Sequence, residues 1–345
     1  MRVGAGGRGT ALVAAGAGLA VLVGAGLIWG WTRTGGGPGS GAGALPAGSA
    51  GLAVAGPAAS TATAGPSPSP KPTAKPSPSP TPRRSKNGFP DASTTGVPPG
   101  TKLRDVGELT ITKAGSTITG VRAKCIIIRA SNVTVRRSLV RGGSCGSARQ
   151  VEVAENVRNA LLEDVEIDGA HVHARGAGLG GSHFTCRRCD IHGMARGIQP
   201  NYDAVIEDSY VHDLYGTSIS ENLAFSSNGG GRYVIRGNNL EMNDVPTGGM
   251  ALGLIGDWGP IDDVLVENNL FNGGGYAVWG GDPGETTDKN PDYYARNVRF
   301  LNNAFGRKFF KKCGYYGPVA AFDTKAKGNR WSGNYWLDTR KPVPP

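Results

Sequence analysis

One six-residue pattern recurs eight times and constrains the fold more than any other feature of the chain. An apolar residue is followed by two mostly polar ones, a small or amide residue, a variable position and a second apolar residue. It reads VRRSLV from Val135, LEDVEI from Leu162, CRRCDI from Cys186 and IEDSYV from Ile206. It continues as IRGNNL from Ile235, VENNLF from Val266, FLNNAF from Phe300 and WSGNYW from Trp331, at intervals of 20 to 34 residues. Repetition on this scale marks a chain built from stacked units, each with an apolar face that it cannot bury alone.

The first and last positions of the pattern form two apolar columns. Their offset of five would put them on opposite faces of a flat strand. A turn between them lets both point inward. The fourth position sits at that turn and holds Asn238, Asn269, Asn303 and Asn334 in the last four repeats. Stacked amides there predict a hydrogen-bonded ladder from repeat to repeat. A further short strand is expected in most repeats, around Leu179, Ile198, Ile219, Leu252, Val278 and Phe322. Long helical periods are absent, and 56 glycines suit tight turns. The expected fold is all-β: a single-stranded, right-handed parallel β-helix (a solenoid) of about eight or more rungs over residues 87–345. Residues 88–120 are expected to cap its first rung, and Trp331, Trp336 and the tail to close its last, because exposed sheet edges need cover.

The N-terminal region differs in kind. Arg2 and Arg8 precede an apolar run from Ala11 to Trp31. Such a run is long enough to span a bilayer, and basic residues before it leave the remainder of the chain outside. Residues 1–31 therefore read as a signal anchor, or as a signal peptide with its best cleavage site near Ala47–Ala50; both export the domain. Residues 32–86, rich in Gly, Ala, Pro and Ser, cannot build a core and are expected to form a disordered low-complexity linker. Its PSPSPKPTAKPSPSPTP stretch, at ~3.1 Å per residue, would act as a semi-rigid stalk on the order of 50 Å long. The expected location is extracellular, either anchored at the cell surface by residues 11–31 or secreted after cleavage.

Residues 1–86 hold eight of the 37 basic residues and none of the 27 acidic ones. The remaining chain has 29 basic against 27 acidic residues, a net charge of +2. The high isoelectric point belongs to the tail, so no nucleic-acid partner is expected.

Several stretches resemble a family of exported parallel β-helix proteins of high-GC Gram-positive bacteria, within the pectate-lyase-like superfamily. They are NGFPDASTTGVPPGT at 87–101, IIIRASNVTVRRS at 126–138, CGYYGPVAAFD at 313–323 and GNRWSGNYW at 328–336. The resemblance implies the fold more than a reaction, since most members have none assigned. It also implies that a cysteine often stands where this chain has Ala277, to partner the cysteine of the CGYYGP motif. Cys313 would then be unpaired here. Of the signatures of β-helix polygalacturonases only a DD is present, at Asp262–Asp263. The paired-arginine motif of pectate lyases is absent.

Two surfaces are candidates for function. His192 and His212 share one column a repeat apart, with Asp213 alongside. They suit acid/base chemistry, and Arg196 could neutralise a uronate; the plainer reading is a polar turn position. The residues that follow the third-strand apolar positions are Gln199, Ser220, Gly253, Trp279 and Asp323, with Trp258 and Tyr276 close in sequence. Rings beside amides and carboxylates suit an elongated glycan; stapling of long loops is the competing reading.

The remaining candidates are weaker. His171 and His173 offer two ligands without a third, and Cys186 and Cys189 fall in the apolar and turn columns, where packing explains them better than zinc. Cys125 and Cys145 lie about one repeat apart and could bridge. Calcium would need Asp282, Glu285, Asp288 and Asp292 to converge, and a solvated turn is the plainer reading. No metal or cofactor is therefore assigned. The expected function is that of an extracellular carbohydrate-active protein, a polysaccharide lyase or glycoside hydrolase. The alternative is a non-catalytic cell-surface protein that binds glycan or envelope polymer. The expected partners are that polymer and, through the N-terminal segment, the membrane; the protein is expected to be a monomer.

Overall fold

The computed structural model describes Ser85 and residues 88–171, 176–215, 222–243, 248–282 and 290–345. These residues form 22 β-strands, from Arg104–Ile111 to Tyr335–Trp336, one 3-10 turn at Pro291–Tyr293 and no α-helix. The segment expected to be an anchor and the stalk, apart from Ser85, lie outside the described residues. Among the described residues no helix is long and apolar enough to cross a membrane.

All pairings between these strands are parallel, and they link each repeat to the one before and the one after. Three ladders result. The second ladder carries the first apolar column in register: Val135, Leu162, Cys186, Ile206, Ile235, Val266, Phe300 and Trp331. The third carries the other: Val140, Ile167, Ile191, Val211, Leu240, Phe271, Phe305 and Trp336. Both columns enter one continuous core, with the two tryptophans packed partly buried against its end. The first ladder contributes Leu179, Ile198, Phe225, Leu252, Val278 and Val319.

The turn between the second and third ladders explains the six-residue pattern. Its first residue takes a left-handed backbone, with φ of 50–57° at Asp164, Arg188, Asp208, Asn268 and Asn302. Asp and Asn tolerate that region because their short polar side chains bond locally. The next residue turns its side chain inward. Asn238, Asn269 and Asn303 are fully buried, and each bonds the next rung. Asn269 Nδ2 donates to Asn303 Oδ1 at 3.0 Å and to Ile235 O at 2.8 Å. Its Oδ1 accepts from Asn238 N and Nδ2, both at 2.9 Å.

Outside this turn, charge alternates along the stack. Arg136, Glu163, Arg187 and Glu207 are successive register partners, as are Arg236 and Glu267. Arg187 reaches Glu207 at 2.6 Å and Glu163 at 3.6 Å; Arg236 bridges Glu207 at 3.6 Å and Glu267 at 3.5 Å. Arg187→Glu should therefore lower stability by about 1–2 kcal/mol, since it replaces two attractions with two repulsions on a half-exposed surface. Urea unfolding of the variant and of Arg187→Gln checks this; equal midpoints would show that the alternation carries no energy.

Three expectations are corrected. Residues 104–119 do not cap the first rung, because Arg104–Ile111 and Thr117–Thr119 are themselves ladder strands. The segment before them runs instead along the outside of the stack. Pro90 O accepts from Asn239 Nδ2 at 3.1 Å, and Gly96 N donates to Arg188 O at 2.9 Å, nearer the N-terminal end. Phe225 and Val319 take the third-strand positions expected at Ile219 and Phe322, and Ile219 itself lies outside the described residues. Cys186 and Cys189, expected only to pack, bridge one another with Cα atoms 6.1 Å apart. The left-handed Arg188 between them (φ 51°) folds both side chains into the core.

Cys125 and Cys145 also bridge, and Cys313 is the one free cysteine, buried in the same core cluster as Ala277. Its thiol donates to Phe271 O at 3.2 Å, and burial pushes its pKa up, so it is a packing group and not a nucleophile. At the C-terminal end the tail folds back, as expected: Trp331 Nε1 donates to Val343 O at 2.7 Å.

Candidate functional site

The third ladder presents two outward columns that flank its apolar one. Asp168, His192 and His212 form the first, in register. Glu166, Asp190, Tyr210, Asn239 and Leu270 form the second, two residues earlier in each strand. Strand geometry puts residues i and i+2 on one face, so Asp190 stands beside His192, and Tyr210 beside His212. The two imidazoles stack with centroids 5.1 Å apart, and Tyr210 stacks on His212 at 3.9 Å.

His212 is held on both sides. Its Nε2 lies 2.8 Å from Asp190 Oδ1 and its Nδ1 2.8 Å from Asp213 Oδ2. Both ring nitrogens thus face a carboxylate oxygen within hydrogen-bond distance, with the donor role of each set by the tautomer, and Asp190 and Asp213 hold the ring between them.

His192 is less constrained and partly exposed. Its Nε2 is 3.5 Å from Glu166 Oε1 and its Nδ1 3.8 Å from Asp168 Oδ1. Burial lowers its pKa, but the hydrogen bond to Glu166 and the charges of Asp190 and Asp168 outweigh that, and the net shift is upward. A pKa raised on folding stabilises the fold below the ordinary imidazole value of about 6.5. That contribution is lost as pH rises through the folded value. Urea midpoints should therefore fall across this window, above about pH 6.5, and His192→Gln should flatten that part of the curve. An unchanged slope would remove the carboxylates as the cause.

Further along the column Glu241 is 4% exposed. Its carboxylate accepts from the Tyr210 hydroxyl at 3.0 Å and from Lys308 Nζ at 2.6 Å. Burial and then the neighbouring carboxylate push the Tyr210 phenol far up, so it remains a donor. Arg196 is not part of this face: it aligns with Ala177 and Leu223 in the first ladder.

The first ladder carries the other predicted surface, with changes. Gly180, Gln199, Ser226, Gly253, Trp279 and Ala320 occupy successive positions of one column. Ser226 stands where Ser220 was expected, and Ser220 itself lies outside the described residues. Ala320 takes the place expected of Asp323, which instead turns the chain by accepting from Lys325 N at 2.7 Å. Ser226 is fully buried, so the column is not an open groove along its whole length. Trp258 is 80% exposed on the loop after the strand Met250–Leu254.

Tyr276 heads a compact aromatic platform at the end of this ladder. Its ring lies 5.6 Å from that of Tyr316, which meets Tyr315 edge to face at 4.9 Å. Tyr315 and Tyr316 are 50% and 45% exposed. Their backbone N–H groups donate to Gly274 O and Gly275 O, both at 2.8 Å, and the Tyr316 ring rests over Gly275. The CGYYGP motif is thus a fixed mount for two solvent-facing rings.

The weaker candidates gain little. His171 packs edge-on against Tyr215 at 5.1 Å, and His173 lies outside the described residues. Asp282 pairs with Arg296 at 2.8 Å, while Glu285 and Asp288 lie outside the described residues. Among the described residues the group of metal-ligand type consists of Glu108, Cys125 and Cys145, whose sulfurs are already bonded to each other.

No protein-family model matches the chain, and no curated protein or solved structure matches it.

Proposed function

We propose that residues 87–345 coil as a right-handed parallel β-helix displayed outside the cell, and that this coil binds a polysaccharide or envelope glycan. The all-parallel pairing of each repeat with its neighbours supports the coil. So do the resemblance to exported β-helix proteins of high-GC Gram-positive bacteria and the two disulfides, which suit an oxidising compartment. An apolar anchor or signal at 11–31 and a proline-rich stalk would export and display a single copy.

The observation that carries the binding reading is the aromatic platform. Exposed rings on a rigid backbone are uncommon on a soluble surface and suit the C–H faces of sugars. Gln199, Trp279, Tyr276 and Trp258 extend that surface along and beside the first ladder. Affinity electrophoresis against a panel of neutral and acidic polysaccharides tests it. At least one polymer should retard the protein, and Tyr316→Ala should weaken that retardation about tenfold, the loss of one stacked ring. Retardation that survives both Tyr316→Ala and Tyr315→Ala would sink this reading.

A lyase or hydrolase is the second reading, favoured by one observation: His192 is partly exposed beside Glu166 and Asp168 on the third ladder. It would act as acid or base, with His212 and Asp213 orienting the ring stack; Arg196 lies in another ladder. Release of reducing ends or unsaturated products from the same panel, abolished by His192→Ala, would establish it.

A further inference from the structure

We propose that the cleft between Ser85, Phe89, Pro90 and Asp91 on one side and the third ladder on the other is a second binding site, built for a neutral sugar ring. The cleft has a volume of about 390 Å3, which lies within the usual range for small-ligand pockets. It is enclosed by three separate parts of the chain: the segment carrying Phe89 and Pro90, the ladder strands, and the turn at Gly306–Lys308.

Its floor is polar and buried. Glu241 receives hydrogen bonds from Tyr210 and Lys308 and, at 3.5 Å, from Asn239 Nδ2, and its carboxylate retains capacity for a further donor. Asn272 is 3% exposed; its Oδ1 accepts from Lys308 N at 3.2 Å, and among the described residues its amide nitrogen donates to nothing. Asn239 is oriented by its Nδ2, which donates to Pro90 O, and this leaves its Oδ1 buried without a partner. A buried amide oxygen in that state costs about 1–3 kcal/mol unless something else satisfies it. The floor therefore carries one unused donor, on Asn272, and one acceptor, on Glu241, beside the buried Asn239 oxygen that lacks a partner. The walls, by contrast, are apolar: Phe89, Leu270 and Leu337.

Charge selects the ligand class. The cleft is lined by two acidic residues, Asp91 and Glu241, and two basic ones, Arg307 and Lys308. Both cations are already paired, Lys308 with Glu241 and Arg307 with Asp338. No net charge remains to draw a phosphate or a uronate. A ligand that both donates and accepts through hydroxyls, and lays C–H faces on apolar walls, is a neutral pyranose or furanose. The site belongs to a different ladder from the tyrosine platform, so it stands or falls separately.

Saturation-transfer NMR on the full chain decides the matter, with methyl glycosides of glucose, galactose, mannose and N-acetylglucosamine, and with galacturonate and inorganic phosphate as charged probes. At least one neutral glycoside should bind. Asn272→Ala and Phe89→Ala should each weaken it about tenfold, the loss of one hydrogen bond or one apolar wall, while Tyr316→Ala leaves it unchanged. Phe89 lies on the outer segment, so its variant remains informative if Asn272→Ala fails to fold. The proposal is overturned if no neutral glycoside binds or if a charged probe binds more tightly. It is also overturned if Phe89→Ala leaves affinity unchanged, or if Tyr316→Ala abolishes binding, which would assign the sugar to the platform.

Discussion

Asn269→Ala is expected to lower the stability of the folded domain by about 3 kcal/mol. The loss is large because the side chain serves three partners in the dry interior. It accepts from the backbone and the amide of Asn238, and donates to Ile235 O and to Asn303 Oδ1. Alanine leaves the Asn238 backbone N–H buried with no acceptor, and no water can reach it, since Asn238 and Asn269 are fully buried. Asn334→Ala removes a comparable set of bonds from Asn303 and Phe300. It lies in the last repeat beside a cleft lined by Trp331, Tyr335 and Pro342, where water can substitute, so a smaller loss of about 1 kcal/mol is expected. Urea unfolding of both variants provides the comparison. Equal losses would mean that position in the stack does not matter, and a neutral Asn269→Ala would deny the ladder any role in stability.

That ladder and the two apolar columns beside it were legible in the sequence because one rigid turn joins them. The turn always spans the same number of residues, so Val135 to Val140 and Phe300 to Phe305 keep one spacing, and that constant spacing fixes the register found in the strands. The first ladder lacks such a turn. Two neighbouring residues face inward there, as with Ala224 and Phe225 or Ala251 and Leu252, all fully buried. Apolar and polar residues do not alternate, and loops of variable length precede each strand. The spacing alone therefore does not single out Phe225 and Val319, and the column residues Ser226 and Ala320 shift with them.

Legibility of the candidate sites divides in the same way. The stacking of His192 on His212 follows from the register of Ile191 and Val211. Asp190 and Tyr210 were readable from the same strands by their offset of two, a signal present in the runs DIH and YVH. Lys308 and Pro90 were not. They reach Glu241 and Asn239 from 67 and 149 residues away, and only the path of the chain outside the stack brings them there. The expectation that residues 88–120 form a cap hid this, because a cap at the first rung would leave the histidine face open to solvent.

Gly273→Ala is expected to have a larger effect than Asn269→Ala: failure to fold, or a loss on the order of 4 kcal/mol or more. Gly273 has φ +85°, and a Cβ there would lie 1.3 Å from Met242 O in the adjacent rung. Neither atom can give way, since the oxygen is backbone and the Cβ is fixed directly by backbone in register, with Met242 aligned to Gly273. Gly107→Ala separates the two causes. Gly107 has a similar left-handed φ of +64° but nothing within 4 Å of the added carbon, so it should lose only the strain of that backbone region, about 1–2 kcal/mol. The consequence for function is specific, because the chain passes from Asn272 through Gly273 to Gly274 and Gly275. The first lines the proposed sugar cleft, and the last two seat Tyr315 and Tyr316. If Gly273→Ala folds at all, the strand must shift, and both surfaces should lose their ligands together, unlike Phe89→Ala and Tyr316→Ala, which should each affect one. A folded Gly273→Ala variant that binds normally at both would show that neither site depends on this strand.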